Sequence, residues 1–402
     1  MKIKGKINRY TDKAFAKHTS SAFIVASPFQ MLCALEAIHE FEIEDYKFVF
    51  VLMEGWKRND QMFAMAKHFN INYDLIWCGE NEREYFDWQK NGFNINAQGK
   101  YSRVFIADYH MAYYHIIVPL YAKKGAVIAY LDDGCSTILF LKGIIKDKKP
   151  SNWRKRLNWY RNRNNAVELY RQQRVIKALQ NLGIYGAESF YTIYDNVSSQ
   201  KFSIYSHSLS YVASMYRRTN LTKPIILVVG TAIDSYANAS GISTILMESI
   251  VWKSLAELRD KFPDDQIVYI PHGRDTDTVL KAFCDILNIK YLSLNESIET
   301  YMLSSNYSPI VIYGYGSQAL YNFRQLYPSI EIHNWIVSAK SQYGADIQSK
   351  TIYNYYEQSG IINEVIWISP KNKLNYETFG SNIKSIYKLI IDKLTGYKYA
   401  KK

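Results

Sequence analysis

The sequence predicts an α/β chain made of two successive, mostly parallel sheets, and three observations carry that prediction. Short apolar runs alternate with stretches at helical spacing from residue 22 to 324, the pattern of strands joined by crossover helices. The runs fall into two series separated by a polar and basic interval. The chain has 402 residues, 48% hydrophobic and 21% charged, which is enough for two domains with sizeable cores and excludes disorder.

In the first series, residues 22–26 read as a strand, followed by Ser27-Pro28-Phe29-Gln30 and a helix over 31–39. Ser27 stands where a side-chain cap leaves the first backbone N–H groups open to a ligand, or simply closes the helix. Strands follow at 46–53 and 73–77 around a helix over 61–69, then at 104–107 and 127–131 around a helix over 111–120. The last strand runs into Asp132-Asp133-Gly134-Cys135-Ser136-Thr137. Side chains alternate along extended backbone, so one of two adjacent carboxylates can face a cleft as a general base while its neighbour points elsewhere. A solvated Asp-Asp-Gly turn is the competing reading at this point.

Residues 142–174 interleave aromatics with cations and form a basic insertion. The second series opens with a strand over 224–229 that runs into Gly230-Thr231-Ala232, followed by a long amphipathic helix over 242–262. A strand over 266–270 then delivers Pro271-His272-Gly273-Arg274. An imidazolium and a guanidinium beyond a strand end can share one phosphate. A helix over 278–288, a short strand over 290–294, Glu299 and a strand over 310–313 lead to Gly314-Tyr315-Gly316-Ser317-Gln318, which opens a helix reaching Arg324. Two glycines permit close backbone approach there, and Ser317 at a helix start offers N–H groups and a hydroxyl to an anion. The domain boundary falls between 186 and 222, placing a first domain at 1–205 and a second at 206–375, with a basic terminal helix at 376–402.

The net charge of +12 favours an acidic partner, whether nucleic acid, an anionic membrane or an acidic substrate. Neither a Cys/His finger nor an aromatic-rich recognition strand is present, so nucleic acid is the weaker candidate. Cys33, Cys78, Cys135 and Cys284 lie far apart without metal-ligand spacing, which predicts free thiols in a reduced compartment and no zinc site. The polar, basic residues 1–21 lack the apolar core of a secretory signal, and no apolar run approaches membrane-span length. The expectation is a cytoplasmic protein, peripheral on the inner face of the membrane through its basic tail.

The order Ser27-Pro28-Phe29-Gln30, Asp132-Asp133-Gly134, His272-Gly273-Arg274, Glu299, then Gly316-Ser317 before a helix resembles the bacterial sialyltransferases of glycosyltransferase family 52. It is also similar to the bacterial polysialyltransferases and the family 80 sialyltransferases. The resemblance implies a GT-B fold, two Rossmann-like domains facing across a cleft, the first binding acceptor and the second the nucleotide sugar. It implies Asp132 or Asp133 as base toward the acceptor hydroxyl and His272 at the phosphate of the CMP leaving group. Arg274 and Ser317 would assist that phosphate, with Gly316 and Gln318 beside them. Glu299, or Glu296 in its place, would hold the ribose. Gly230 and Thr231 would line the donor pocket, and Ser27 and Gln30 would bind substrate. The expected partners are a CMP-activated sialic acid or related nonulosonic acid and a lipooligosaccharide or capsular glycan, for a monomer or homodimer. The chain departs from those families at Gly273, where they usually carry proline, and at Gln318, where they usually carry a second hydroxyl. CMP-sialic acid has one phosphate, so a histidine and helix N-termini can replace a metal, and no metal is expected; Asp275 and Asp277 have the spacing of a carboxylate pair all the same. The competing classes are a transferase of UDP- or other NDP-sugars and a non-catalytic protein binding nucleic acid or lipid.

Overall fold

The computed structural model describes residues 14–78, 99–107, 114–144, 189–199, 202–216, 223–273, 278–338 and 347–367. They form two compact units, one running through Tyr216, to which Asn295–Ser297 also belong, and one from Arg217 onward. The first holds seven strands: β1 Ser21–Val25, β2 Tyr46–Met53, β3 Tyr73–Cys78, β4 Tyr101–Ile106, β5 Ala122–Tyr130, β6 Ser189–Thr192 and β7 Ser203–Ser206. They pair in the order β3-β2-β1-β4-β5-β6-β7, all parallel. Every residue of β1 is buried, as a central parallel strand covered on both faces must be. Its Phe23 stacks between Phe48 and Phe105, with ring centroids 5.4 and 4.7 Å away.

The second unit holds β8 Lys223–Val229, β9 Ile267–Ile270, β10 Lys290–Tyr291, β11 Tyr307–Gly314, β12 Glu331–Ser338 and β13 Ile362–Trp367. Their order is β10-β9-β8-β11-β12-β13, again all parallel. Each sheet therefore starts at its centre, grows to one side, then crosses back and grows to the other. That is the doubly wound Rossmann order, whose switch points here are β1/β4 and β8/β11. The expected α/β, GT-B-type class, two Rossmann-like domains in succession, is the class observed in the two units. Each unit has its own apolar core.

A buried cation ties residues 14–21 to the first sheet. Arg103 on β4 is fully buried and donates to the carbonyls of Ala14, Ala16 and Thr19 and to Ser21 Oγ, at 2.8 to 3.4 Å. These acceptors are neutral, and removal of the charge from water lowers the guanidinium pKa to about 10.

The units divide at Tyr216, later than the expected 205/206, because β7 and the helix Ser210–Met215 complete the first unit. On that helix the Val212 N–H donates to the Glu36 carboxylate at 2.7 Å, and the neighbouring Tyr211 ring stacks on His39 at 3.9 Å. Strands β6, β7, β12 and β13 and the helices Ile233–Ser240 and Ile347–Gln358 are additions to the elements expected from sequence. In β12 the apolar pattern is broken by Glu331, His333 and Asn334; the structure pairs them off, His333 between the carboxylates of Glu331 and Glu364 and Asn334 with Asn363 on β13. Most of the basic insertion at 142–174, the terminal helix at 376–402, Arg274, Asp275 and Asp277 lie outside the described residues. Among the described residues, no helix is long and apolar enough to cross a membrane.

Candidate active site

At the carboxyl edge of the first sheet, β1 ends at Val25 and the helix Pro28–Glu40 begins, with proline in its first turn where a missing N–H costs nothing. Ser27 caps that helix, its Oγ accepting from the Gln30 N–H at 3.3 Å. Gln30 is 2% exposed and joins two strand ends: its Oε1 accepts from the Ala26 N–H at 2.6 Å and its Nε2 donates to Asp133 Oδ1 at 3.0 Å. The Asp133 N–H donates to Thr137 Oγ1 at 2.9 Å, and the Ser136 hydroxyl is shared between the Asp133 carbonyl oxygen and Asp133 Oδ2, the latter at 3.1 Å. These bonds orient the Asp133 carboxylate and leave it half-buried.

Asp132 is different. It is fully buried, and its carboxylate accepts from the Thr192 hydroxyl at 2.5 Å and the Ile193 N–H at 2.6 Å. Both oxygens of this carboxylate are thus engaged inside the unit, away from solvent. Of the two expected candidates for the base, Asp133 is the one that is not fully buried. Divergence of neighbouring side chains is readable from the alternation rule; which one points inward is not, because Thr192 and Ile193 belong to a strand end that the sequence hides.

In the second unit three chain segments leave neighbouring strands at one edge. The register pairs Val229 of β8 with Ile270 of β9 and with Gly314 of β11, so these strands end level. Gly230-Thr231, Pro271-His272 and Tyr315-Gly316-Ser317 come directly after them. With strands about 4.8 Å apart, the outer two segments are separated by roughly 10 Å of sheet, a span that one phosphate and two side chains can bridge. His272 is half-buried, and Thr231 is 9% exposed.

The glycines here have steric work to do. A Cβ on Gly230 would lie 2.6 Å from Tyr269 Oη and 3.0 Å from the Ile270 carbonyl oxygen. Gly316 has φ of +56°, and its N–H donates to Asn334 Oδ1 at 2.7 Å. Ser317 caps the helix Gln318–Leu326 by accepting from the Ala319 N–H at 3.3 Å, a role that does not use its own O–H. No acidic residue occupies the first turn of that helix, so its positive end is uncompensated. The helix after β8 is already answered: Asp234 lies in its first turn and accepts from the Thr244 hydroxyl at 2.8 Å.

Glu299, expected at a ribose, is 5% exposed and accepts from Asn322 Nδ2 at 2.8 Å, while Asn322 Oδ1 accepts from Gln318 Nε2 at 2.9 Å. Gln318 is thus linked through Asn322 to Glu299, and this line of groups cannot be read from the separate motifs. Glu296 is half-buried. Arg274 is the one expected site residue outside the described positions. Asn322 and Asn334 carry no sequence signal of a site, being single amides, the first inside a helix expected from sequence and the second on a strand that is not.

No protein-family model and no curated protein matches the chain. Among solved structures it is similar to the GT-B domain of a sialyltransferase from Photobacterium damselae, at 14% identity, covering 87% of this chain and 100% of that one with a TM-score of 0.41. It is also similar to MurG from Acinetobacter baumannii, at 8% identity, 90% and 91% coverage and a TM-score of 0.37. A UDP-N-acetylglucosamine 2-epimerase is similar at 11% identity, 95% and 97% coverage and a TM-score of 0.39. Likenesses at this level carry no argument about activity, which has to be reasoned from the chain's own residues.

Proposed function

We propose that the chain is an inverting glycosyltransferase that moves sialic acid, or a related nonulosonic acid, from a CMP-activated donor to a glycan acceptor. The observation that supports it best is the edge of the second sheet, where His272, Thr231 and the capped helix start at Ser317 leave three adjacent, level strands. Such an edge suits a single phosphate: an imidazolium on one side, backbone N–H groups and a hydroxyl on the other. The first unit supplies Asp133, oriented by Gln30 and Ser136.

In this reading the donor's phosphate rests between His272 and the Ser317 helix start. Asp133 takes the proton from the acceptor hydroxyl as that oxygen attacks the anomeric carbon. The C–O bond to phosphate breaks, and the electron pair leaves on CMP, where His272 and the N–H groups stabilise the growing negative charge. A positioned base contributes on the order of 10²- to 10⁴-fold in rate, and one donor to a developing anion about 3 kcal/mol. No metal is required at the phosphate. A lipooligosaccharide or capsular acceptor and peripheral membrane contact belong to the same reading, through the basic segments.

Purified protein should hydrolyse or transfer from CMP-sialic acid, and His272→Ala should lower kcat by about 10² or more while the fold is retained. A nucleotide panel separates the donor classes: CMP should raise Tm more than UMP, UDP or GMP. Stabilisation by UDP over CMP would move the reading to an NDP-sugar transferase. No turnover with any CMP-nonulosonate would end it.

A further inference from the structure

Beside the candidate base lies a second cluster that the proposed transfer does not use. Asp132 Oδ2 faces Cys33 Sγ at 4.0 Å and His207 Nε2 at 3.8 Å, and one ligand-type atom from each of the three residues lies within 4.8 Å of the others. Cys33 and Asp132 are fully buried, and the His207 side chain is 3% exposed. Neither ring nitrogen of His207 has a hydrogen-bond partner among the described residues. The ring is nonetheless fixed, stacked on Tyr191 at 4.7 Å, with the His207 N–H donating to the Thr192 carbonyl at 2.9 Å.

A buried polar atom without a partner costs about 1–3 kcal/mol, so the Nε2 that faces Asp132 needs a physical reason. At 3.8 Å the Asp132 oxygen is beyond hydrogen-bond reach of Nε2. The separation suits two ligands of one ion better: with bonds of about 2.0–2.3 Å in a tetrahedral site, neighbouring ligand atoms sit roughly 3.3–3.6 Å apart. Side-chain rotations would have to draw in the three ligand atoms, which lie up to 4.8 Å apart, by as much as about 1 Å.

We propose that Cys33, Asp132 and His207 bind one divalent transition-metal ion of the zinc class, three protein ligands that leave the fourth tetrahedral position to a water. Thiolate and carboxylate together balance its two charges, and the neutral imidazole completes a sulfur, nitrogen and oxygen set that favours zinc or cobalt over magnesium or calcium. The Thr192 hydroxyl and Ile193 N–H on the Asp132 carboxylate orient it, as outer-shell partners of ligating carboxylates do. The ion would join the helix Pro28–Glu40, the end of β5 and the segment after β7. Because Asp132 precedes Asp133, it would also steady the carboxylate proposed as base. Cys33 and Asp132 are 99 residues apart, so no linear metal signature exists.

The site can be tested without turnover. The full-length protein, unfolded in chelator and refolded with Co²⁺, should retain about one equivalent after dialysis and show thiolate-to-cobalt charge-transfer absorption. Cys33→Ser should abolish that absorption, and Cys135→Ser should leave it unchanged. His207→Gln should weaken Co²⁺ and Zn²⁺ binding by at least about tenfold while keeping a side chain of similar reach, so that one folded variant suffices. Less than about a tenth of an equivalent retained by the wild type, or a charge-transfer band that survives in Cys33→Ser, would overturn the proposal.

Discussion

Asp132 and Asp133 are adjacent in sequence, and substituting each to asparagine should give opposite phenotypes. In Asp132→Asn one carboxylate oxygen becomes an NH₂, which must face either the Ile193 N–H or the Thr192 hydroxyl, now at 2.6 and 2.5 Å. Two donors then oppose each other, or the hydroxyl must turn away. A buried donor left unsatisfied costs about 1–3 kcal/mol and lost charge assistance about 1 more, so the first unit should lose roughly 2–4 kcal/mol. Against a typical domain stability of about 5–15 kcal/mol, that is a large fraction. In Asp133→Asn the amide can still accept from Gln30 or Ser136, and the site is half-buried, so the stability change should stay below about 1 kcal/mol. Transfer should nonetheless fall by about 10²- to 10⁴-fold. The assay pairs urea unfolding, followed by fluorescence, with CMP release from CMP-sialic acid. A stable Asp132→Asn with abolished turnover, alongside an active Asp133→Asn, would refute the assignment of roles.

Three further outcomes are expected from the same geometry. Gly230→Ala places a methyl 2.6 Å from Tyr269 Oη and should lower stability by about 1–3 kcal/mol, measured as a shift in the urea midpoint. Ser317→Ala removes a cap worth about 1 kcal/mol and a proposed phosphate donor, so KM for the CMP donor should rise beyond what the stability loss explains. Glu36 has its carboxyl pKa raised by burial, which outweighs the Val212 N–H and His207. The folded state therefore binds its proton more tightly than the unfolded chain, and stability falls as pH climbs from the unfolded value through the folded one. Glu36→Gln keeps an acceptor for Val212, so it should stabilise the protein at pH 7 relative to wild type, and the gain should vanish at pH 4; an equal gain at both would contradict this.

Much of the architecture is legible in the sequence because buried parallel strands are unbroken apolar runs, as β1, β2, β8 and β9 show. The strands without that signature are those whose polar residues find lateral partners only once the sheet exists: His333 with two glutamates, Asn334 with Asn363. The short β6 and β7, four residues each, leave too little pattern to read. The same asymmetry governs the site. Loop motifs such as Asp132-Asp133-Gly134 and Gly316-Ser317 announce themselves by turn chemistry, and Gln30 stands in another of them. Thr192, His207 and Asn322 take their meaning from neighbours remote in sequence, and a linear reading holds no trace of them.

The cage around Arg103 bears on how the polypeptide can be shortened. Among the described residues its acceptors are the carbonyls of Ala14, Ala16 and Thr19 and the hydroxyl of Ser21, so deletion through residue 16 would strip a solvent-excluded guanidinium of two of these. Proteolytic trimming that stops short of Ala14 leaves these acceptors in place, whereas a cut a few residues further in should release a cation with nowhere to go and loosen the amino-terminal sheet at its central strands.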